Sequence, residues 1–173
     1  MTELLLQQAN HDELTGLYNR RAFAAALQGH IETFSACREA HLVILDLDQF
    51  KVVNDTCGHG EGDRLLIEVS RVIAACVRST DTVARLGGDE FAVLLVDCSQ
   101  EIAVRKAEQI RSRLQQYEFY SSADIFKIGV SIGLVSMNEN RTDPTELQQL
   151  ADAACYAAKE AGRDRVAATL GCR

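Results

Sequence analysis

Two adjacent carboxylates follow a pair of glycines between two apolar stretches of this chain. The segment Arg85–Leu95 reads RLGGDEFAVLL. A two-residue glycine loop between apolar strands is typical of a tight β-hairpin, so we predict that Gly87 and Gly88 form its turn. Asp89 and Glu90 would then lie at the tip, within reach of solvent and ligands. An acidic pair is costly in a core but useful in a metal site.

A third acid, Asp46, ends a β-rich apolar run at Leu42–Leu45 that predicts a buried strand. If that strand neighbours the hairpin, Asp46 converges with Asp89 and Glu90. Oxygen ligands of this kind suit Mg²⁺ or Mn²⁺, and the backbone carbonyl of Leu47 could add another. Each acid also has a structural interpretation: Asp46 could cap a helix, and Glu90 could be a solvated turn residue.

Two further pairs of polar residues have helical spacing. Lys159 and Arg163 are four residues apart, so they share a face at the end of the last predicted helix. A favourable interaction with the helix dipole would explain them without any ligand. Arg78 and Asp81 are three residues apart, which an ion pair at a helix end would explain equally simply.

Periodicity and capping residues predict the elements that must position these side chains. The predicted helices cover 20–36, 49–56, 58–78, 100–115 and 143–162. The predicted strands cover 42–45, a hairpin over about 82–96, 128–135 and 165–168. We expect N-terminal caps at Asp48, Ser99 and Asp143 and a glycine stop at Gly162. Helices that alternate with strands, two of them joined as a hairpin, indicate an α+β fold with a largely antiparallel sheet flanked by helices.

Composition limits the classes of protein that this chain could be. Its 173 residues suffice for one domain with a real core. The net charge of −7 repels nucleic-acid backbones, so we expect no nucleic acid partner. A nucleoside triphosphate is still possible, because metal ions and local cations override the global field.

The cysteines and the apolar runs indicate the cellular compartment. Six cysteines occur without a C-x-x-C pair, which argues against zinc and favours free thiols in a reducing cytosol. No apolar run approaches the ~20 residues of a membrane span, and no signal peptide is visible. We therefore expect a soluble cytoplasmic domain, which could belong to a longer, membrane-anchored protein.

Five separated segments together resemble the GGDEF domains, whose active members are diguanylate cyclases. They are DELTGLYNRR (12–21), DLDQFK with ND (46–51 and 54–55), GHGEGD (58–63), the hairpin, and AAKEAGR (157–163). The resemblance implies a ferredoxin-like core related to adenylyl cyclase and polymerase palm domains. It places the catalytic domain at 11–173 and makes residues 1–10 a helical linker stub from an upstream sensory domain.

The resemblance also implies a reaction and a metal site. Two GTP molecules would condense into cyclic di-GMP and two pyrophosphates within a homodimer. Asp46 and Asp89 would bind the catalytic metals, two Mg²⁺ or Mn²⁺ ions per site, with Leu47 and Glu90 as further ligands. Asp89 would also help to deprotonate the attacking hydroxyl group.

For the substrate, the resemblance places Asn54 and Asp63 on the guanine base, with His59 nearby. Their hydrogen-bonding groups match the N1–H, exocyclic amine and O6 of guanine, although both residues could instead cap helices. The positions that correspond to triphosphate ligands are Lys51, Lys159 and Arg163.

Arg78 and Asp81 stand at the distance from the hairpin that marks an inhibitory product site in this family. The alternative to a cyclase is a noncatalytic receptor that binds cyclic di-GMP or GTP and regulates a partner. The intact acidic set favours the cyclase. The sequence departs mildly from the family pattern at positions that match no proposed ligand; these are Cys57, Cys155 and Asp164, the last of which replaces a frequent Asn.

Overall fold

The structure is a computed structural model that describes residues 9–33, 39–122, 124–138 and 141–169. Its helices are α1 (Arg20–Glu32), α2 (Phe50–Cys57), α3 (His59–Ala74), α4 (Gln100–Gln116) and α5 (Pro144–Glu160). Its strands are β1 (Ala40–Leu47), β2 (Thr82–Gly87), β3 (Glu90–Val96), β4 (Glu118–Tyr120), β5 (Ile125–Lys127), β6 (Val130–Ser136) and β7 (Arg165–Thr169). Over these residues no helix is both long and apolar enough to cross a membrane.

Five of the described strands form a mixed sheet in the order β2-β3-β1-β6-β7. The first three pairings are antiparallel, and β7 lies parallel to β6. The connection β1-α3-β2-β3-α4-β6 is therefore a βαββαβ unit, to which α5 and β7 are added. The predicted α+β fold with a largely antiparallel sheet is confirmed, whereas the small β4-β5 hairpin was not predicted from the sequence.

Helices cover both faces of the central strands. On one face, Val43 of β1 and Val93 of β3 share a core with α3 and α4. On the other face, Leu42 and Leu94 share a second core with α1 and α5. Because neither face meets water, β1 and β3 appear in the sequence as continuous apolar runs and not as alternating ones.

The packing of α5 on β6 depends on Gly133. A Cβ atom at this position would lie 2.1 Å from the carbonyl oxygen of Ala151 and 2.4 Å from the backbone nitrogen of Cys155. The buried face of α5 is correspondingly small, with alanines at 151, 154 and 158. The backbone of α5 therefore lies directly against β6, and position 133 has no room for a side chain.

Several predicted boundaries and caps are confirmed. Ser99 caps α4 by accepting a hydrogen bond from the Ile102 N–H, and Asp143 caps α5 in the same way from Glu146. Gly162 follows the end of α5 with a left-handed φ of +117°.

Other local predictions are wrong. Asp48 does not cap the next helix, because Gln49 occupies the N-cap position with φ +61°. The hairpin turn consists of Gly88 and Asp89, since Gly87 already pairs with Glu90 in the sheet.

Two predicted helices end earlier than expected. The first ends at Glu32 with Thr33 as its C-cap, and residues 34–36 of its predicted extent lie outside the described residues. The helix predicted to reach residue 78 ends at Ala74. Residues 1–8 of the predicted linker stub also lie outside the described residues.

The four cysteines within the described ranges, at 57, 76, 98 and 155, are free thiols. Burial raises the pKa of the Cys155 thiol to about 12, and its Sγ donates a hydrogen bond to the carbonyl oxygen of Ser131. This thiol packs as a small apolar side chain and is chemically inert.

We predict that Gly133→Ala destabilises the fold by about 1–3 kcal/mol, because the new methyl group must push α5 away from β6. The measurement is urea unfolding followed by circular dichroism. Gly29→Ala is the matched control: this glycine lies inside α1 with open space around it, so alanine should stabilise by about 0.5–1 kcal/mol. Equal effects of the two substitutions would contradict the close helix–strand contact.

Candidate active site

Three predicted carboxylates meet at one end of the sheet. Asp46 of β1 lies directly opposite Glu90 of β3 in the antiparallel register. The Leu47 N–H donates to the carbonyl oxygen of Asp89 at 3.3 Å, which ties the hairpin turn to the end of β1. The structure thus places the predicted acidic residues at one sheet edge.

Two of these carboxyl groups, those of Asp89 and Glu90, have raised pKa values. Burial, followed by the charge of Asp46, raises the pKa of Asp89, and the same two causes raise the pKa of Glu90. Burial also raises the pKa of Asp152 on α5. The site therefore holds negative charge that the fold alone does not fully compensate.

Two cations partly balance this charge. Lys159 Nζ lies 2.9 Å from Asp46 Oδ2, and Arg20 Nη2 lies 3.5 Å from Glu90 Oε2. Burial acts to lower the pKa of Lys159, but the hydrogen bond and the charge of Asp46 outweigh it, so this pKa is raised. Lys159 consequently stays charged beside the acids.

The carboxylate oxygens of Asp46, Asp89 and Glu90 are the kind of ligand that a hard divalent cation prefers. Closely placed carboxylates with raised pKa values gain most from a metal that neutralises them. Over the described ranges, no three His, Cys, Asp or Glu side chains are already gathered as a complete ligand group. Binding would therefore require the side chains of Asp46, Asp89 and Glu90 to turn toward a common point.

The segment before α1 holds the hairpin in place. Arg85 Nη1 lies 3.0 and 3.1 Å from the two carboxylate oxygens of Asp12, and Arg85 Nε donates to the carbonyl oxygen of Gly88. Arg20 Nε donates to the carbonyl oxygen of Leu86 on the same hairpin. Both arginines lie within segments that resemble the family, but the sequence alone predicted no role for either.

A second group of candidates lies where α2 meets α3. A Cβ atom on Gly62 would fall 1.9 Å from Asn54 Oδ1, so this glycine makes room for the amide. That oxygen is buried and has no hydrogen-bond partner among the described residues. Asp63 and His59 are exposed on the first turns of α3. Because α2 follows Gln49 and α3 follows Gly58, neither Asn54 nor Asp63 is a helix cap.

The three predicted phosphate ligands occupy different positions. Lys159 joins the acidic edge, as described above. Arg163 follows the end of α5 and is exposed, with a left-handed φ of +63°. Lys51 is exposed on the first turn of α2.

Arg78 and Asp81 form a turn at the far end of β3. Asp81 accepts hydrogen bonds from the backbone N–H groups of Arg78 at 2.9 Å and Val96 at 3.2 Å, and Lys106 Nζ lies 4.0 Å away. Its side chain is only 1% exposed, whereas Arg78 is exposed. Since Glu90 begins β3 and Val96 ends it, this turn lies at the opposite end of the strand from the acidic edge.

Comparison with known proteins covers almost the whole chain. The family model described as "Diguanylate cyclase, GGDEF domain" matches residues 9–165. DgcE of Escherichia coli, named a probable diguanylate cyclase, is 41% identical over 96% of this chain and 15% of its own length. PdeB of Shewanella oneidensis, named a cyclic di-GMP phosphodiesterase, is 36% identical over 94% of this chain and 19% of its own length.

A solved structure has the same fold. The coiled coil and GGDEF domain of DgcB from Caulobacter crescentus, in complex with c-di-GMP, superposes with a TM-score of 0.91 and 31% identity. That match covers 97% of this chain and 90% of the other. By contrast, the chain spans less than half the length of the curated relatives it matches.

We predict that Asp89→Asn raises the melting temperature at pH 7 in EDTA. A carboxyl whose pKa is raised by folding stabilises the protein below its unfolded pKa and loses that contribution as pH rises through the folded value. Removing the charge of Asp89 should therefore raise the melting temperature by about 1–2 °C. The increase is small because water screens this half-exposed group. Differential scanning fluorimetry measures the shift, which should shrink as pH is lowered.

Asp46→Asn is the control for this experiment, because it removes the ion-pair partner of Lys159 and should lower the melting temperature. If both variants lowered it equally, the acidic edge would not carry uncompensated charge.

Proposed function

The chain belongs to the GGDEF family of diguanylate cyclase domains, and from this premise we propose that it condenses two GTP molecules into cyclic di-GMP and two pyrophosphates. The observation that carries this proposal is the meeting of Asp46, Asp89 and Glu90 at one sheet edge. A degenerate domain that only binds nucleotide has no need for carboxylates held together against their repulsion.

In the proposed reaction, the 3′-hydroxyl of each GTP attacks the α-phosphate of the other. A new P–O bond forms there, and the bond to pyrophosphate breaks. Asp89, held at the hairpin turn beside the end of β1, accepts the hydroxyl proton. Each condensation of two GTP molecules releases two pyrophosphates.

Members of this family generally use a divalent metal ion. In this chain Asp46, Asp89, Glu90 and the Leu47 carbonyl would hold Mg²⁺ or Mn²⁺, two ions per site. When bound, the metal would neutralise charge on the transferred phosphate and acidify the attacking hydroxyl.

We propose that the guanine base binds where α2 meets α3. The unpartnered Asn54 Oδ1 can accept a hydrogen bond from a guanine N–H. Exposed Asp63 offers further acceptors for the same base edge, and His59 lies on the same turn of α3. The cations assigned to the triphosphate are Lys51, Lys159 and Arg163.

Because one domain would hold one GTP, two domains must face each other for the reaction. An upstream sensory domain in the full-length protein would control that encounter by raising the effective concentration. The rate of product formation per enzyme molecule should therefore depend on the enzyme concentration.

We predict that product formation per molecule rises as the enzyme concentration increases, because the active species is a dimer. Chromatography of the nucleotides after incubation with GTP and Mg²⁺ measures cyclic di-GMP and pyrophosphate. Asp89→Ala should abolish synthesis, whereas Glu101→Gln, which removes an exposed acid from α4, should not. Full activity of Asp89→Ala, or a rate per molecule independent of dilution, would contradict the proposal.

A second experiment uses this chain fused to a dimerising coiled coil. If the fusion protein binds cyclic di-GMP but leaves GTP unchanged, the domain is a receptor and not a cyclase.

We also propose that the product inhibits the enzyme at the Arg78–Asp81 turn. Arg78 is exposed and can hold a guanine or a phosphate. Asp81 is almost fully committed to backbone N–H groups, so its main part is to shape the turn that presents Arg78.

We predict that Arg78→Ala relieves inhibition by added cyclic di-GMP by about ten-fold or more, the loss expected for a charged hydrogen-bonding ligand. The readout is the inhibitor concentration that halves the initial rate. Lys127→Ala, which removes an exposed cation from β5, is the control. Unchanged inhibition in Arg78→Ala would exclude this turn as the product site.

A further inference from the structure

The loop that carries Arg163 follows an unusual backbone path. Gly162, Arg163 and Asp164 have successive φ values of +117°, +63° and +43°. Left-handed conformations are routine for glycine but unfavourable for residues with a Cβ atom. Two such residues in succession require interactions that hold them in place.

Asp48 holds this loop from the sheet. It follows the end of β1 and is 8% exposed. Its Oδ2 accepts a hydrogen bond from the Asp164 N–H at 2.8 Å, and its Oδ1 accepts one from the hydroxyl of the fully buried Ser131 at 2.7 Å. A Cβ atom on Gly129 would lie 3.0 Å from Asp48 Oδ2 and 3.2 Å from Asp164 Cβ, so the joint is tightly packed.

The side chain of Asp164 is held from the opposite side by α4. Its Oδ2 accepts hydrogen bonds from Arg111 Nη1 at 3.2 Å and from Gln115 Nε2 at 2.8 Å. Both the backbone and the side chain of Asp164 are therefore fixed. An aspartate here also supplies a negative charge for Arg111 that an asparagine would lack.

The backbone of Arg163 is fixed as well. Its N–H donates to the carbonyl oxygen of Ala158 at 3.0 Å, and its own carbonyl accepts from Arg165 Nε at 3.0 Å. The exposed side chain is left to meet a ligand. An arginine on a fixed backbone loses less freedom on binding phosphate than one on a mobile loop.

We propose that Asp48 and Asp164 are positioning residues that hold Arg163 in place for the triphosphate of GTP. This inference rests on the proposed function, in which Arg163 contacts phosphate. It explains why the end of β1 carries two acids two residues apart: Asp46 contacts Lys159, and Asp48 holds the loop of Arg163. The end of one strand thereby sets the positions of two of the three proposed phosphate-binding cations, Lys159 and Arg163.

The test measures the affinity of α,β-methylene-GTP with Mg²⁺ by isothermal calorimetry, together with KM and kcat for GTP. Asp164→Ala should weaken binding by about ten-fold and raise KM more than it lowers kcat. Asp164→Asn should restore most of the affinity, because asparagine tolerates the left-handed conformation and still accepts from Gln115. Wild-type affinity in Asp164→Ala would overturn the proposal.

A double-mutant cycle with Arg163→Ala separates positioning from folding. If Asp164 acts through Arg163, adding Asp164→Ala to Arg163→Ala should not weaken binding further. An equal loss in both backgrounds would show that Asp164 acts only on the fold. If Arg163→Ala itself binds the analogue normally, the phosphate role in the proposed function fails instead.

Arg111→Gln keeps the test decisive if Asp164→Ala does not fold. It removes the ion pair from outside the loop and leaves every loop residue in place, so a loss of about three-fold is expected. Thermal melting checks that each variant is folded. Unchanged affinity in a folded Arg111→Gln would count against positioning by Asp164.

Discussion

The antiparallel pairing of β1 with β3 sets the positions of the charged groups in this molecule. Its register puts Asp46 opposite Glu90 and brings the Asp89 turn against Leu47. A slip of one residue would turn every side chain of β1 to the other face. The apolar cores on both faces prevent that slip, because each requires its own set of β1 residues. Hydrophobic packing thus holds together carboxylates that repel each other.

The groups around this edge either supply positive charge or fix the backbone. Lys159 and Arg20 supply charge directly to the acids. Arg85 forms an ion pair with Asp12, which anchors the hairpin to the segment before α1. The backbone around the acidic edge is thus held in place while some repulsion between the carboxylates remains. Proteins commonly give up stability in this way at functional sites.

Local signals in the sequence were sufficient where the interaction itself is local. The caps at Ser99 and Asp143 bond to residues three positions along the chain, so the pattern alone identifies them. Asp48 resembles such a cap, but its partners Ser131 and Asp164 lie 83 and 116 residues away. Only the folded sheet brings those residues together. The proximity of Asp46 to the hairpin could be predicted from the sequence, because it required only the assumption that β1 and the hairpin are neighbours in the sheet.

The ion pair between Lys159 and Asp46, at 2.9 Å, would couple the metal binding and the nucleotide binding proposed for this site. A triphosphate that draws the ammonium group toward itself leaves Asp46 with a less compensated charge, which strengthens its attraction for a divalent cation. Thermodynamic reciprocity then requires the cation to strengthen nucleotide binding by the same factor. Metal and nucleotide would therefore bind cooperatively through one lysine side chain, with no movement of the backbone.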